Sequence, residues 1–511
     1  MRHIFCLTGL TFVAALAPFT ATAIASPTSA SQPQALDILL AKIGPQLQDE
    51  KYEEARSTLQ AIIAHPGFDA LPVSSKAACY SLLATLQLDL GAPQQAYDAL
   101  LKASTFGEAE LDANYWELMV QATGQLDKSE EMLAAFTTLS TKFPEILKEY
   151  DNDYVISFVH MSGDIEDKGT SRKALLEALY AAGYTAKDSG YSVEWLYFDL
   201  FEIYVADKAE DKATAIAAKL IEPENLLRFR IDKRYARYRR VTDVEITAAF
   251  ETQLGRHRDF AEKNPNLLSG STLVASDLLD LARDKEGLKI VDEALARIKA
   301  APEGSAAYDD LSDQHNWVLD IKYRLLSQMG RYTEAEQALK EGRDIALAAG
   351  EDTVSQKINL GGFYNALARP QDALKEVADI KPEDVSIYGL MSAEEVRACA
   401  YAQTGETEKL KASLDLMLKN AQKAYAPLET ALLCAGDSDA LAKVIIAQLD
   451  DPETRASTLV SVQTYLPDGH PTPAQTAREA VRQKTLARAD VRAAILKYGE
   501  IVSVSVRAYP Y

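Results

Sequence analysis

The chain has 511 residues and a formal net charge of −21, with 75 acidic against 54 basic side chains. An acidic surface of this kind repels nucleic acid and anionic lipid, which excludes them as general partners. Four cysteines in so long a chain exclude a scaffold held together by dense disulfides.

The N-terminus has the pattern of a secretory signal peptide. Arg2 precedes an apolar run over residues 4–19, and small residues suited to a signal peptidase follow at 21–25. We therefore predict a cleaved signal peptide over 1–25 and a flexible linker over 26–34. Cys6 lies inside the apolar run rather than after it, so a lipoprotein acylation site is not indicated. No later stretch is apolar enough to span a bilayer, and we expect the mature chain in the periplasm or outside the cell.

Helical hairpins are predicted over residues 35–150. Gly91 separates two runs with apolar residues at helical spacing, and Gly124 lies one repeat length later. We therefore expect both glycines at turns between paired helices. Residues 151–265 continue as divergent helical repeats, or alternatively form a distinct inserted segment.

Over residues 266–450 the paired pattern resumes. Gly330 separates a run ending at Met329 from a second run with small and apolar residues at Ala335 and Leu339, and Gly405 and Gly436 mark two further turns. Residues 451–511 form a capping segment and tail. There, 465–473 is too rich in Pro and Gly to be helical, 474–497 predicts basic amphipathic helices, and the alternation in 502–506 predicts a strand.

Several of these stretches resemble tetratricopeptide repeats, which are helix-turn-helix units of about 34 residues. The resemblance lies in Gly330-x-Tyr332-x-x-Ala335 and Leu360-Gly361-x-x-Tyr364, and in the residues around Gly91. It implies an all-α fold, a solenoid of roughly ten to twelve antiparallel helix pairs in a right-handed superhelix, with a C-terminal helical cap.

The resemblance also implies a function. In such arrays the first helix of each pair lines a groove that holds a peptide or another protein. Transferred to this chain, the groove positions are Trp317, Asp320, Arg324, Ile358, Asn365 and Glu395.

One basic, aromatic segment runs from Leu227 to Val241. If it is helical, Arg230, Arg234 and Arg237 share a face suited to carboxylates or phosphates. The alternative is that the arginines pair with acidic neighbours while the tyrosines pack into the core. The candidate residues are Arg228, Arg230, Lys233, Arg234, Tyr235, Arg237, Tyr238 and Arg240.

No phosphate-binding loop, zinc-binding helix, CxxC pair or nucleophile elbow is present in the sequence, and the six histidines are isolated. We therefore predict no catalytic residue, metal or cofactor. Cys399 and Cys434 lie about one repeat apart, so a bridge is conceivable, although small buried thiols are the more usual case. The predicted function is an exported protein-interaction scaffold, for example in cell-envelope assembly. The alternatives are a cell-wall-associated enzyme or enzyme subunit, and a protein that binds anionic polymer through the basic segment.

Overall fold

A computed structural model describes residues 32–186, 190–302 and 304–507. Within these ranges the fold is all-α, with 25 α-helices and two short strands, as predicted. The predicted signal peptide and residues 26–31 of the linker lie outside the described residues. The first helix begins at Gln32.

The helices and strands have the following bounds: α1 Gln32–Gln48, α2 Tyr52–Ile63, α3 Val73–Asp89, α4 Pro93–Ser104, α5 Ala113–Gln125, α6 Ser129–Lys142, α7 Asn152–Asp164, α8 Thr170–Ala181, α9 Glu194–Ala206, α10 Glu210–Ala217, α11 Pro223–Ile231, α12 Asp243–Lys263, α13 Leu268–Asp280, α14 Asp284–Ala300, α15 Leu311–Gln328, α16 Tyr332–Ala348, α17 Val354–Ala366, α18 Pro370–Glu376, α19 Ile387–Thr404, α20 Thr407–Lys419, α21 Tyr425–Ala435, α22 Ser438–Asp450, α23 Arg455–Ser461, β1 Thr464–Leu466, α24 Pro473–Leu486, α25 Ala489–Tyr498 and β2 Ser503–Arg507.

The chain divides into two compact units. Of the described residues, the first unit comprises 32–149 and 156–178, and the second comprises 150–155, 179–186, 190–302 and 304–507. In the first unit α1 packs on α2, α3 on α4 and α5 on α6. Its core includes Leu133 and the stacked rings of Phe136 and Phe158, whose centroids are 3.9 Å apart.

In the second unit the hairpins α13/α14, α15/α16, α17/α18 and α19/α20 follow one another, and α13 also packs on α15, α16 on α17, α17 on α19 and α19 on α21. A continuous apolar core runs through them and includes Leu268, Leu325, Leu360 and Val396. Most of the stability of such an array comes from this burial between neighbouring hairpins.

The turns confirm most of the glycine positions expected from the sequence. Gly91, Gly330, Gly405 and Gly436 all have positive φ, between 70° and 74°, which a residue without Cβ adopts at little cost. Gly124 was wrongly expected at a turn. It lies inside α5, and the positive φ of that connection is taken by Asp127, at 54°. Aspartate tolerates the left-handed region better than most side chains, which explains the difference.

Close approach between helices depends on other glycines. A Cβ on Gly361 would lie 2.7 Å from Cγ1 of Val396, and one on Gly287 would lie 2.9 Å from Cδ2 of Leu325. Both distances are shorter than a Cβ tolerates. Gly361 therefore allows α17 to approach α19, and Gly287 allows α14 to approach α15.

The C-terminal segment forms the expected helical cap, since α24 packs on α21 and α22, and α25 packs on α22. The predicted strand is β2, in which Val504 and Val506 are buried and the serines are exposed. It pairs in parallel with β1. Arg507 of β2 then pairs with Asp284 and donates to the carbonyl oxygen of Leu279 at 3.2 Å, so the tail also reaches α13 and α14.

Cys399 of α19 and Cys434 of α21 form a disulfide, with their Cα atoms 5.0 Å apart. The sequence left this pairing open, with unbridged thiols as the more usual case, and the structure shows the bridge. Their helices are neighbours in the array, which brings the two side chains together. Cys79 is a buried free thiol, and burial raises its pKa to about 11. Among the described helices, none combines the length and the apolar character needed to cross a bilayer.

Candidate functional site

Three of the predicted groove residues share one face of α15. Trp317, Asp320 and Arg324 are spaced i, i+3 and i+7, which places them on the same side of the helix. The Trp317 side chain is 60% exposed. Nε of Arg324 donates to Oδ2 of Asp320 at 2.7 Å. This face therefore presents a large aromatic ring beside a partly buried ion pair.

The surroundings of the Asp320–Arg324 ion pair change the pKa of its carboxyl group. Burial raises the pKa of the Asp320 carboxyl, and Arg324 opposes that change. Nδ2 of Asn359 on α17 lies 3.5 Å from Oδ1 of Asp320, so the adjoining helix contributes to the same polar surface.

Two predicted groove residues on α17 are less accessible than expected. Asn365 is 1% exposed and donates from Nδ2 to the carbonyl oxygen of Val396 at 2.8 Å. Ile358 is half-buried and packs against the core. Asn365 therefore ties α17 to α19, and neither residue presents a full side chain to a partner.

Glu395 on α19 is half-buried. Burial raises the pKa of its carboxyl to about 7, and the guanidinium of Arg478 on α24 opposes this. Glu429 on α21 shows the same arrangement: burial raises its pKa while Arg482 of α24 opposes the change. The capping helix thus supplies arginines to this end of the predicted groove, and the open part of the groove face lies around Trp317.

The basic segment is not one continuous helix, because α11 ends at Ile231. Asp232 is extended, and its carboxylate accepts a hydrogen bond from the backbone N–H of Arg234 at 2.9 Å, which stabilises a turn. The single helical face proposed for Arg230, Arg234 and Arg237 is therefore absent.

Most of the arginines in this segment have carboxylate partners. Arg228 pairs with Glu224, Arg230 with Asp243 and Glu500, Arg234 with the buried Asp232 at 2.7 Å, and Arg237 with Glu210 at 2.9 Å. Lys233 donates to the carbonyl oxygen of Leu496, and Arg240 is exposed. Tyr235 and Tyr238 are buried, and both rings lie edge-on to Phe201. These contacts favour the interpretation in which the segment is paired and packed within the chain.

A separate cleft of about 670 Å³ lies in the second unit, between the segment that precedes α9 and helix α12. Its aromatic wall includes Tyr180 and Tyr197, whose rings meet edge to face with centroids 5.2 Å apart. Tyr191 also lines the cleft and is 51% exposed. The size and the aromatic lining are typical of a site for a small ligand.

His257 contributes a fixed imidazole to this cleft. Its Nδ1 lies 2.6 Å from Oδ2 of Asp277, a buried carboxylate that also accepts from Nε2 of Gln253 at 2.6 Å. Because Nδ1 is engaged, Nε2 is the ring nitrogen that can meet a ligand. Nothing in the sequence indicated this pair, since its members lie on different helices, 20 positions apart, and have no motif spacing.

Arg256, the neighbour of His257 in the lining of the cleft, pairs with Glu222. Its Nη2 lies 2.7 and 2.6 Å from the two carboxylate oxygens. In the part of the chain that the structure describes, no group of three or more His, Cys, Asp or Glu side chains is placed to hold a metal ion.

No protein-family model matches the chain, and no curated protein matches its sequence. Among solved structures, the chain is similar to one titled as the APC/C hetero-tetramer Cut9–Hcn1, with 10% identity over 91% of this chain and 98% of that chain and a TM-score of 0.28. It is also similar to the P58(IPK) TPR domain, with 14% identity over 79% and 99% and a TM-score of 0.21. A third is yeast Tom70, with 12% identity over 91% and 99% and a TM-score of 0.32. Identity at this level does not carry a function from one protein to another.

Proposed function

We propose that this chain is an exported scaffold that binds a peptide or an extended segment of a protein partner on the face of α15 and α17, for example during assembly of the cell envelope. The observation that carries this proposal is the exposed Trp317 beside the Asp320–Arg324 pair on one face of α15. Tryptophan and arginine are the residues that most often dominate binding energy at protein interfaces. The indole suits an apolar anchor of the partner, and the ion pair suits a polar group next to it.

Two features support an exported location. The first is the signal-peptide pattern of residues 1–25. The second is the disulfide between Cys399 and Cys434, because such bonds persist mainly in oxidising compartments outside the cytoplasm.

The partner can be found by cross-linking from the proposed face. Trp317 is replaced by the photoreactive amino acid p-benzoylphenylalanine, the full chain is irradiated in an envelope extract, and the attached segment is identified by mass spectrometry. That segment is then synthesised, and its affinity for the wild-type protein is measured by fluorescence anisotropy.

Variants decide whether the face carries the binding. We expect Trp317→Ala to weaken the affinity by about tenfold or more, as for a tryptophan at the centre of an interface. Leu347→Ala is the matched control, since Leu347 is an exposed apolar residue on the second helix of the same hairpin. Equal affinity of wild type and Trp317→Ala would place the binding elsewhere, and equal loss in both variants would indicate non-specific adhesion.

A further inference from the structure

The cleft between the segment preceding α9 and helix α12 has a lining that selects among ligand classes. Charged residues of both signs are present: among the described residues that line it, Glu194, Glu222 and Asp259 stand against Lys219, Arg256 and Lys263. The lining thus carries three acidic and three basic groups, beside His257, which is paired with Asp277. A strongly anionic or cationic ligand would therefore meet as many like charges as opposite ones.

The polar groups are also largely engaged with one another. Arg256 pairs with Glu222, His257 with Asp277, and Lys263 with Asp259 at 2.7 Å. The Lys263–Asp259 pair is exposed, whereas the His257–Asp277 pair is buried. Paired groups still have capacity for more hydrogen bonds: a guanidinium has five N–H donors, and a carboxylate has about four acceptor sites. The cleft therefore offers donors and acceptors side by side rather than a free charge.

Tyrosine rings complete the lining. Tyr197 is held by its hydroxyl, which donates to the carbonyl oxygen of Tyr184, and its ring meets that of Tyr180 edge to face. Tyr191 stands at the surface with half of its area exposed. Tyrosine combines a flat apolar face with a polar edge, which suits a ligand that is itself amphipathic.

We propose that this cleft binds a neutral oligosaccharide. The apolar C–H face of a sugar ring stacks on a tyrosine ring. Each sugar hydroxyl group both donates and accepts hydrogen bonds. It can therefore form hydrogen bonds with neighbouring groups such as Nε2 of His257 and the paired Arg256 and Glu222. A purely apolar ligand would displace water from these polar groups without replacing the hydrogen bonds that the water makes, at a cost in free energy. The volume of about 670 Å³ lies within the range of small-ligand sites.

Isothermal titration calorimetry on the full purified chain tests this site, with the β-1,4 trimer of N-acetylglucosamine, cellotriose and maltotriose as probes. We expect saturable binding of at least one of them. Tyr191→Ala removes the exposed ring and is expected to weaken that binding about tenfold. His257→Gln keeps an N–H that can donate to Asp277 but removes the Nε2 atom of the imidazole ring. We expect a comparable loss of affinity for the sugar.

Tyr388→Ala is the matched control, because Tyr388 is an equally exposed tyrosine, on α19, that does not line the cleft. Circular dichroism confirms that each variant is folded. Absence of binding for all three sugars up to about 5 mM would overturn the proposal. The proposal would also be overturned if Tyr388→Ala lost as much affinity for the sugar as Tyr191→Ala. Binding of the control peptide trialanine by a chain that binds none of the sugars would overturn it as well. The result is independent of the peptide measurement on Trp317, so either proposal can fail alone.

Discussion

At the scale of single residues, Gly361 marks a close approach between two helices. A Cβ there would lie 2.7 Å from Cγ1 of Val396, a buried β-branched side chain with little freedom to move. We expect Gly361→Ala to lower the free energy of unfolding by about 1–3 kcal/mol, as overpacked cores do. Urea denaturation followed by circular dichroism measures this change.

The adjacent glycine provides the control. Gly362 lies in the same helix, and a Cβ there would meet nothing within 4 Å. Gly362→Ala should therefore leave the stability unchanged or raise it by up to about 1 kcal/mol, because alanine favours helix more than glycine does. If the two variants behaved alike, helix propensity rather than close packing would explain the role of Gly361.

Glu395 makes stability depend on pH. Burial raises the pKa of its carboxyl from 4.5 to about 7, so the folded chain holds this proton more tightly than the unfolded chain. The contribution to stability is full below about pH 4.5 and is lost as the pH rises through 7. At pH 8 we expect the free energy of unfolding of Glu395→Gln to be about 1–3 kcal/mol higher than that of the wild type. This range allows for the part of the side chain that remains exposed to solvent.

The measurement is a series of urea denaturations of both proteins from pH 4 to pH 8. The difference between them should grow across the window from about pH 4.5 to pH 7. A difference that stays constant with pH would show that the carboxyl does not titrate in this range.

At the scale of elements, the disulfide joins two first helices of the array. Cys399 and Cys434 close a loop of 35 residues, and the chain-entropy treatment assigns such a bridge about 4 kcal/mol of stability. We expect a reducing agent to lower the free energy of unfolding of the wild type by about this amount. It should have no effect on Cys399→Ala/Cys434→Ala.

Cys79→Ala is the control for this experiment, because it removes the buried free thiol and leaves the bridge in place. The effect of the reducing agent should persist in it. Among Cys79, Cys399 and Cys434, alkylation of the unfolded, unreduced protein should modify Cys79 alone. Modification of all three would contradict the bridge.

The tail is held to α14 by a buried ion pair. The Arg507 and Asp284 side chains are only 9% and 14% exposed, and Arg507 also donates to a backbone carbonyl. Removing one partner leaves the other charge buried and unpaired, so we expect Arg507→Ala to cost about 3–5 kcal/mol. Arg488→Ala breaks an exposed pair with Asp439 and Asp490 and should cost much less than this in the same urea assay. Equal costs would mean that Arg507 is effectively solvated.

The basic segment shows which elements can be predicted from sequence alone. Its clustered arginines and tyrosines were visible in the sequence, but their partners Glu210, Asp243 and Glu500 come from other elements. Local spacing therefore could not decide between a docking surface and internal pairing. The same limit hid the contact of His257 with Asp277, which is made across two helices.

At the scale of the whole molecule, the all-α class and most hairpins were predictable because each depends on a local signal. Apolar residues at helical spacing define the helices, and glycines such as Gly330 and Gly405 define the turns. The accessibility of the predicted groove positions was not predictable, because Arg478 comes near Glu395 only after the C-terminal segment packs onto α17, α21 and α22. Long-range packing of this kind leaves no periodic pattern in the sequence.

The division into two compact units leads to a prediction about cooperativity. Each unit has its own buried core, with Leu133 in the first and Leu325 in the second. In helical arrays each hairpin is stabilised mainly by its neighbours, so a defect acts first on the unit that contains it. We therefore expect two transitions in differential scanning calorimetry of the full chain.

Core truncations assign the two transitions. Leu133→Ala and Leu325→Ala each remove a fully buried side chain and should cost about 2–5 kcal/mol within one unit. That corresponds to a decrease of roughly 7 to 17 °C in the midpoint of the first unit's transition and of roughly 3 to 7 °C in that of the larger second unit. The other midpoint should remain where it is in the wild type, and a single transition lowered by both variants would show that the two cores unfold as one cooperative body.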